Sequence, residues 1–286
     1  MTLIDVAIIG GGASGTTTAF HLANKNKNVC ILEKNISPPE KICGGGMSAA
    51  VQNWFPFQLM PIVDEVITNV EFSWCNTDKV IAKLSGSSPF WIVKREKFDS
   101  FLLEQALNSG CNLLTTFNVV NIKSSSNVWQ ITALDGRQIE AKAVVIADGS
   151  QSPWPKTFNL GPRKERFAST FSGRIKRKGN LRNETARFEF GLVSNGFAWA
   201  FPLNNEVNIG MGTFLENKNS IPVDEILKSF LPDLGFDPSE VIGQEAKLRV
   251  WNGHSNLNGD GILLVGDAAS LCDPFLAEGL RPALMS

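Results

Sequence analysis

The 286-residue sequence predicts an α/β fold in which a strand–helix–strand domain is interrupted by a β-rich domain and then resumed. Three observations carry this expectation. The chain opens as a βαβ unit, residues 167–214 show short strands and turns with almost no helical periodicity, and α/β alternation returns after them. At roughly 150 residues per domain, the length fits about two domains.

Residues 3–9 form a β-branched run ending in glycines, 14–25 have helical character, and 29–32 are a second apolar run. Phe98, Phe101, Leu102, Gln105 and Ala106 recur at helical spacing, which predicts a helix over 96–107 that Gly110 stops. Alternation at 118–123, 128–134 and 138–146, with Asp135-Gly136 as a turn, predicts a small antiparallel meander that closes at Ala147-Asp148-Gly149. Strands at 167–175, 185–192, 197–203 and 206–213 make up the β-rich part. A helix at 223–231 and strands at 246–251 and 261–265 lead back to α/β character. The predicted domains are therefore 1–160, with strands at 66–84 that could join the second domain, then 161–239, and a return segment 240–286.

Composition excludes several classes of function. With 27 Lys+Arg against 28 Asp+Glu the net charge is −1, so there is no global pull toward nucleic acid or a membrane, and no apolar run approaches the roughly 18 residues of a membrane span. The N-terminus lacks a signal-peptide pattern, which predicts a cytoplasmic protein. Cys30, Cys43, Cys75, Cys111 and Cys272 are widely spaced and odd in number, which points to free thiols. With only His21 and His254 available, read as a packing and a loop residue, no metal site is expected and a Ser-His-Asp hydrolase has few candidates. Tyrosine is absent, so a proton donor must be an acid, a lysine, a cysteine or a bound water.

Gly10-Gly11-Gly12-Ala13-Ser14-Gly15 fits G-x-G-x-x-G between the first strand and helix, and Glu33 ends the second strand 23 positions after Gly10. This is the Rossmann-type dinucleotide fingerprint. Gly10 permits the tight turn, Gly12 a close approach to a pyrophosphate at the helix N-terminus, Gly15 helix–strand packing, and Glu33 can accept from ribose hydroxyls. A glycine-rich turn without a ligand is the competing reading.

The strand at 261–265 ends in Gly266-Asp267, Arg95 precedes Phe98-Asp99, and Asp148-Gly149 closes the meander. With the fingerprint, these pieces resemble the aromatic-hydroxylase-like superfamily of FAD-dependent enzymes. Within it the sequence is similar to the geranylgeranyl reductase family. Lys41-Ile42-Cys43-Gly44-Gly45-Gly46-Met47-Ser48 matches a Cys-Gly-Gly segment, and Asp273-Pro274-Phe275-Leu276-Ala277-Glu278-Gly279 matches a Pro-x-x-Gly-Glu-Gly segment. Phe197–Pro202 followed by Asn208-Ile209-Gly210-Met211-Gly212 matches a substrate-domain signature. The resemblance implies FAD as cofactor, held by Gly10, Gly12, Ala13, Ser14, Gly15, Glu33, Lys34, Cys43, Gly44, Gly45, Arg95, Asp148, Gly149, Gly266, Asp267, Ala277, Gly279 and Leu280. It also implies NAD(P)H or another reduced carrier as electron donor, and reduction of C=C bonds in an isoprenoid or lipid-like substrate.

Several residues keep two readings. Cys43 is a thiol beside the flavin or a small residue at a turn, and with Glu278 it is a candidate for the proton relay. Phe197, Trp199 and Phe201 share one face of a strand and either line a slot for a prenyl chain or form an aromatic core. A helix starting near Pro274 would aim its N-terminus at the flavin, or be an ordinary Pro-initiated start. Between Gly161 and Arg187, nine basic residues stand against Glu165 and Glu184. That +7 stretch could attract NADPH phosphates, a prenyl diphosphate or a membrane surface with peripheral contact, or be a solvated strand edge. The sequence departs from the family where no arginine follows Asp148-Gly149, where Ser194 and Phe197 stand at the family's Pro and Tyr positions, and at Ser286, which leaves a short variant or a fragment open. A monooxygenase or halogenase-like enzyme, and a non-catalytic flavin-binding protein, remain alternatives. The oligomeric state is not legible.

Overall fold

A computed structural model describes residues 3–37, 41, 43–86, 89–177, 181–213 and 221–286. Ile42, Lys178 and Phe214, each in a segment singled out above, lie outside them.

An eight-stranded sheet forms the first layer. Its parallel core runs in the order Ile262–Leu264, Gln138–Ile146, Ile4–Ile9, Val29–Leu32, Asn112–Leu114, with Ile8 opposite both Val145 and Ile31. Val29–Leu32, buried throughout, reads as a continuous apolar run rather than as alternation. Ile8 and Ile31 pack on one face against Phe20 of the helix Ala13–Ala23 and Phe98 and Leu102 of the helix Arg95–Asn108. Ala7, Ile9, Val144 and Ile146 pack on the other face with Phe117, Ile131 and Trp154. The meander Val119–Ser125, Val128–Ala133, Gln138–Ile146 extends the same sheet antiparallel, and Gly136 turns it at φ 87°.

The second layer is a seven-stranded sheet in the order Ile242–Val250, Arg166–Lys176, Glu206–Thr213, Gly196–Pro202, Thr185–Phe190, Asn69–Trp74, Thr77–Lys83. Strands 69–74 and 77–83 thus belong to this sheet, with Asn69–Trp74 parallel to Thr185–Phe190. One face buries Ile209, Val207 and Ala200 under Phe230 of the helix Val223–Phe230; the other buries Phe197, Trp199 and Phe201. A three-stranded sheet of Gly46–Ser48, Phe90–Ile92 and Glu65–Ile67 joins the two layers.

Two boundaries differ from expectation. The strand Ile242–Val250 lies inside the predicted return segment but pairs along its length with Arg166–Lys176, so the chain rejoins the first sheet only at Asn258–Gly259. No helix starts at Pro274. The Asp273 carboxylate accepts from the N–H groups of Phe275 and Leu276, a local turn competing with helix, and Ala277 follows in the left-handed region at φ 51°. The helix forms only over Leu280–Met285.

Candidate nucleotide and active site

The strand Ile4–Ile9 is the switch point of the parallel sheet: the connection through the first helix leads to Val29–Leu32 on one side, while Gln138–Ile146 returns on the other. In such sheets the ligand crevice opens at the carboxyl ends of the strands. Gly10, Glu33, Asp148 and Gly266-Asp267 each follow the end of a different parallel strand, so the fold gathers at this edge four motifs far apart in sequence.

A cleft of ≈ 360 Å³ lies there, lined among others by Gly10, Gly12, Glu33, Lys34, Lys41 and Asp148. Gly10 has φ 102°, and a Cβ on it would stand 2.5 Å from the Ala147 carbonyl oxygen. A Cβ on Gly15 would collide with the Gly10 carbonyl, and one on Gly12 with the Lys41 ammonium. The glycines therefore allow a turn and helix–strand packing too close for a side chain, and the backbone of this turn lines the cleft. The helix Ala13–Ala23 has no acidic residue in its first turn and no side-chain cap, which leaves its N-terminal dipole to an anion. Glu33 holds the loop in shape, accepting from the Gly11 N–H at 2.7 Å and from Asn35.

Arg95 lies at the start of the second helix, one turn from Asp99. Its guanidinium grips the Asp99 carboxylate bidentately at 3.0 and 2.9 Å, and Lys41 adds an ion pair to Asp99 at 3.5 Å. Burial acts to lower the Arg95 pKa, yet Asp99 and Cys43 raise it above its ordinary value. Cys43 Sγ also accepts from the Gly45 N–H at 3.3 Å. Lys41 and Asp99 are site residues that the sequence reading missed. Lys41 stands inside the quoted Cys-Gly-Gly segment, but only the folded loop brings its ammonium over Gly12. We expect Lys41→Met to weaken dinucleotide binding about tenfold, the worth of a charged hydrogen bond, with a shallower salt dependence; a flavin fluorescence titration that superimposes on wild type removes Lys41 from the site.

A second group surrounds Asp267. Burial pushes its carboxyl up from the ordinary value, opposed by Arg95, Lys41 and Arg249. Asp148 is also pushed up by burial, opposed by its hydrogen bond with Ser152 and by Arg249 and Lys34, and its Oδ1 is buried without a hydrogen-bond partner among the described residues. Cys272, buried beside them, is raised by burial and then by Asp267, Asp273, Cys43 and Glu278, so these groups share one neighbourhood. Glu278 is raised by burial as well, against Arg281. Gly266 faces Ser14, and Gly279 faces Asp267 and Cys272. Gly149 has φ 87° beside Asp148, Ala13 is buried at the helix start, Ala277 packs against the aromatic cluster, and Leu280 lies in the first core.

Phe197, Trp199 and Phe201 are fully packed. Trp199 Nε1 and Phe201 press on Gly44, and Phe201 and Phe90 press on Gly46, so the Cys43-Gly44-Gly45 loop rests on this face. Asn208 links the parts: its Nδ2 donates to the Cys43 carbonyl at 3.1 Å while its Oδ1 accepts from Trp199 Nε1 at 2.8 Å. Of the basic stretch, Arg163, Lys164, Arg166, Lys176 and Arg182 are exposed, and three others are drawn into ion pairs. Arg187 is buried in ion pairs with Glu189, Asp233 and Glu71, Arg174 pairs with Glu96, and Arg177 with Glu65. His21 stacks on Phe55 and His254 meets Trp251 edge-on. All five cysteines are free.

The residues fit a dinucleotide: a glycine cradle, an uncapped helix start, cations over it, and an unpartnered buried carboxylate oxygen. Comparison with known proteins agrees. The family model described as FAD dependent oxidoreductase matches residues 5–57. An uncharacterized protein of Methanosarcina barkeri is 28% identical over all of this chain and 73% of its own length. Digeranylgeranylglycerophospholipid reductase 2 of Methanothermobacter thermautotrophicus is 27% identical over 98% of this chain and 74% of its own. In fold, a geranylgeranyl bacteriochlorophyll reductase-like protein from Thermoplasma acidophilum superimposes with a TM-score of 0.84 at 20% identity, covering 99% of this chain and 75% of the other. A mutant of halogenase PltM in complex with FAD does so at 0.75 and 17%, covering 99% and 68%. No helix among the described residues is long and apolar enough to cross a membrane. The chain is a FAD-dependent oxidoreductase, similar to the geranylgeranyl reductase-like proteins.

Proposed function

We propose that this enzyme reduces C=C bonds of an isoprenoid or similar lipid, with electrons from NAD(P)H or another reduced carrier. One observation carries this reading. Across the seven-stranded sheet Trp199 stands opposite Phe188, Phe188 opposite Phe72, and Phe72 opposite Val80, with Phe197, Phe190 and Trp74 as the next row. Residues paired in this way point to the same face. The rows start packed under the Cys43 loop and end open, with Phe72 40%, Trp74 59% and Val80 62% exposed. An apolar chain laid on this face would reach from the sheet edge toward the group around Asp267. The sequence left Phe197, Trp199 and Phe201 as a substrate slot or an aromatic core; they are packed, and the open part of the face belongs to Phe72, Trp74 and Val80, which only strand register reveals.

When bound, FAD supplies hydride to the alkene. The chain supplies the rest. Asn208 and Trp199 fix the Cys43 loop, the packed aromatic wall excludes water, and Glu278 is the candidate proton donor, because burial lets its carboxyl hold a proton to higher pH than an ordinary glutamate. Reduced enzyme mixed with a geranylgeranyl lipid under strict anaerobiosis is expected to recover oxidised-flavin absorbance, and Glu278→Gln to slow that recovery by about 10²-fold. Recovery only in air shifts the reading to oxygen chemistry, the alternative that the likeness in fold to a halogenase favours. Undiminished recovery in Glu278→Gln moves the donor to Cys43 or water.

A further inference from the structure

The strand Ile242–Val250 pairs with the substrate-side sheet, yet its last residues run along the nucleotide site. Val250 bridges to Cys272, the Trp251 N–H donates to the Cys272 carbonyl at 2.8 Å, and the Ser150 hydroxyl donates to the Lys247 carbonyl at 2.7 Å. Between these contacts lies Arg249, only 5% exposed. Its Nη2 donates to the Ser152 carbonyl at 2.7 Å and pairs with Glu165 at 3.0 Å, while its guanidinium sits over Phe167. Nε and Nη1 are buried without a hydrogen-bond partner among the described residues. A cation this deep is costly unless it answers a charge. Glu165 is shared with Lys156. The other acids that Arg249 faces are Asp148 and Asp267, at the ends of neighbouring parallel strands.

We propose that Arg249 is a positioning residue of the nucleotide site: the seven-stranded sheet delivers through it a buried counter-charge that holds Asp148 and Asp267 together as carboxylates, with two N–H donors in reserve for the loaded state. The inference rests on FAD binding and not on the identity of the substrate. The other groups facing the two acids are Lys34 and the Ser152 hydroxyl at Asp148, and Arg95, Lys41 and the Cys272 thiol at Asp267. Lys34 opposes the shift at Asp148, Arg95 and Lys41 oppose it at Asp267, and Arg249 opposes it at both. A carboxylate accepts from ligand hydroxyls where a carboxylic acid accepts less well, so FAD affinity should fall as pH drops through the pKa of these acids.

The test is FAD affinity, read by flavin fluorescence from pH 5 to 9, in wild type, Arg249→Gln and Arg249→Lys, with the melting temperature of the flavin-free protein measured beside it. Glutamine keeps a donor for the Ser152 carbonyl but no charge. We expect it to bind about tenfold more weakly at pH 7, with the acid limb of its profile raised by about one pH unit, and lysine to restore the limb. A glutamine profile parallel to wild type, or a lysine profile displaced as far as glutamine, overturns the inference and leaves Arg249 a structural clamp for Ser152. If glutamine does not fold, the lysine limb alone decides: unmoved supports the proposal, displaced overturns it. A wild type that takes up no FAD refutes the cofactor itself, an outcome distinct from either.

Discussion

Asp267→Ala is expected to release FAD from the purified protein, the dissociation constant rising by about 10- to 100-fold, the equivalent of a charged hydrogen bond of roughly 1.5–3 kcal/mol. The same substitution should stabilise the flavin-free protein at neutral pH. Burial raises the Asp267 pKa above its ordinary 3.8, so the folded state resists an ionisation that the unfolded state accepts. Its contribution to stability is therefore favourable below 3.8 and is lost as pH rises from there through the raised folded value. Asp148 and Glu278 are shifted in the same direction. The advantage in melting temperature of Asp267→Ala over the flavin-free wild type should accordingly grow from about pH 4 toward neutrality. Opposite signs for folding and for FAD binding identify a residue held for its ligand rather than for the fold. Yellow, tightly loaded Asp267→Ala protein sinks the assignment.

Asp99→Asn should be the most destabilising conservative change near the site. Asp99 is only 1% exposed and holds both arms of a buried Arg95 while pairing with Lys41. The amide keeps the shape but removes the charge, and leaving one buried partner uncompensated costs about 3–5 kcal/mol, which for a chain of this size lowers the melting temperature by roughly 10 °C. The exposed pair Arg137–Asp135 is as short, 2.8 Å, but uses a single guanidinium N–H, and Asp135→Asn should move the melting temperature far less, because water screens it. Thermal melts of both variants decide the matter. Equal shifts would mean that burial does not amplify the Asp99 pair.

Most elements could be read from local pattern. Residues 29–32 and 206–213 have the bounds expected of them, and the helix Arg95–Asn108 differs by one residue at each end from the range that its apolar spacing suggests. The failures share a cause. Pro274 looked like a helix start, but the Asp273 carboxylate satisfied the next two N–H groups locally and Ala277 turned left-handed. The strand Ile242–Val250 was assigned to the wrong layer because its edge pairing depends on a partner some 70 residues away, Arg166–Lys176. The run of basic residues, open in sequence between a patch and a solvated strand edge, loses Arg187 to a buried cluster of ion pairs, while Arg163, Lys164, Arg166, Lys176 and Arg182 stay exposed.

The nucleotide loop follows from local sequence alone. A G-x-G-x-x-G turn between strand and helix, with an acid at the end of the next strand, is a local requirement: Gly10 takes φ 102°, a conformation that favours glycine, and Gly15 must lack a Cβ because the Gly10 carbonyl occupies that space. Tertiary structure decided the rest. Lys41 over Gly12, the aromatic rows ending at Trp74 and Val80, and Arg249 behind Asp148 and Asp267 come from chain segments that meet only in the folded chain. Such groups carry no periodic signal, since burial, strand register and the field of neighbouring charges depend on partners distant in the chain.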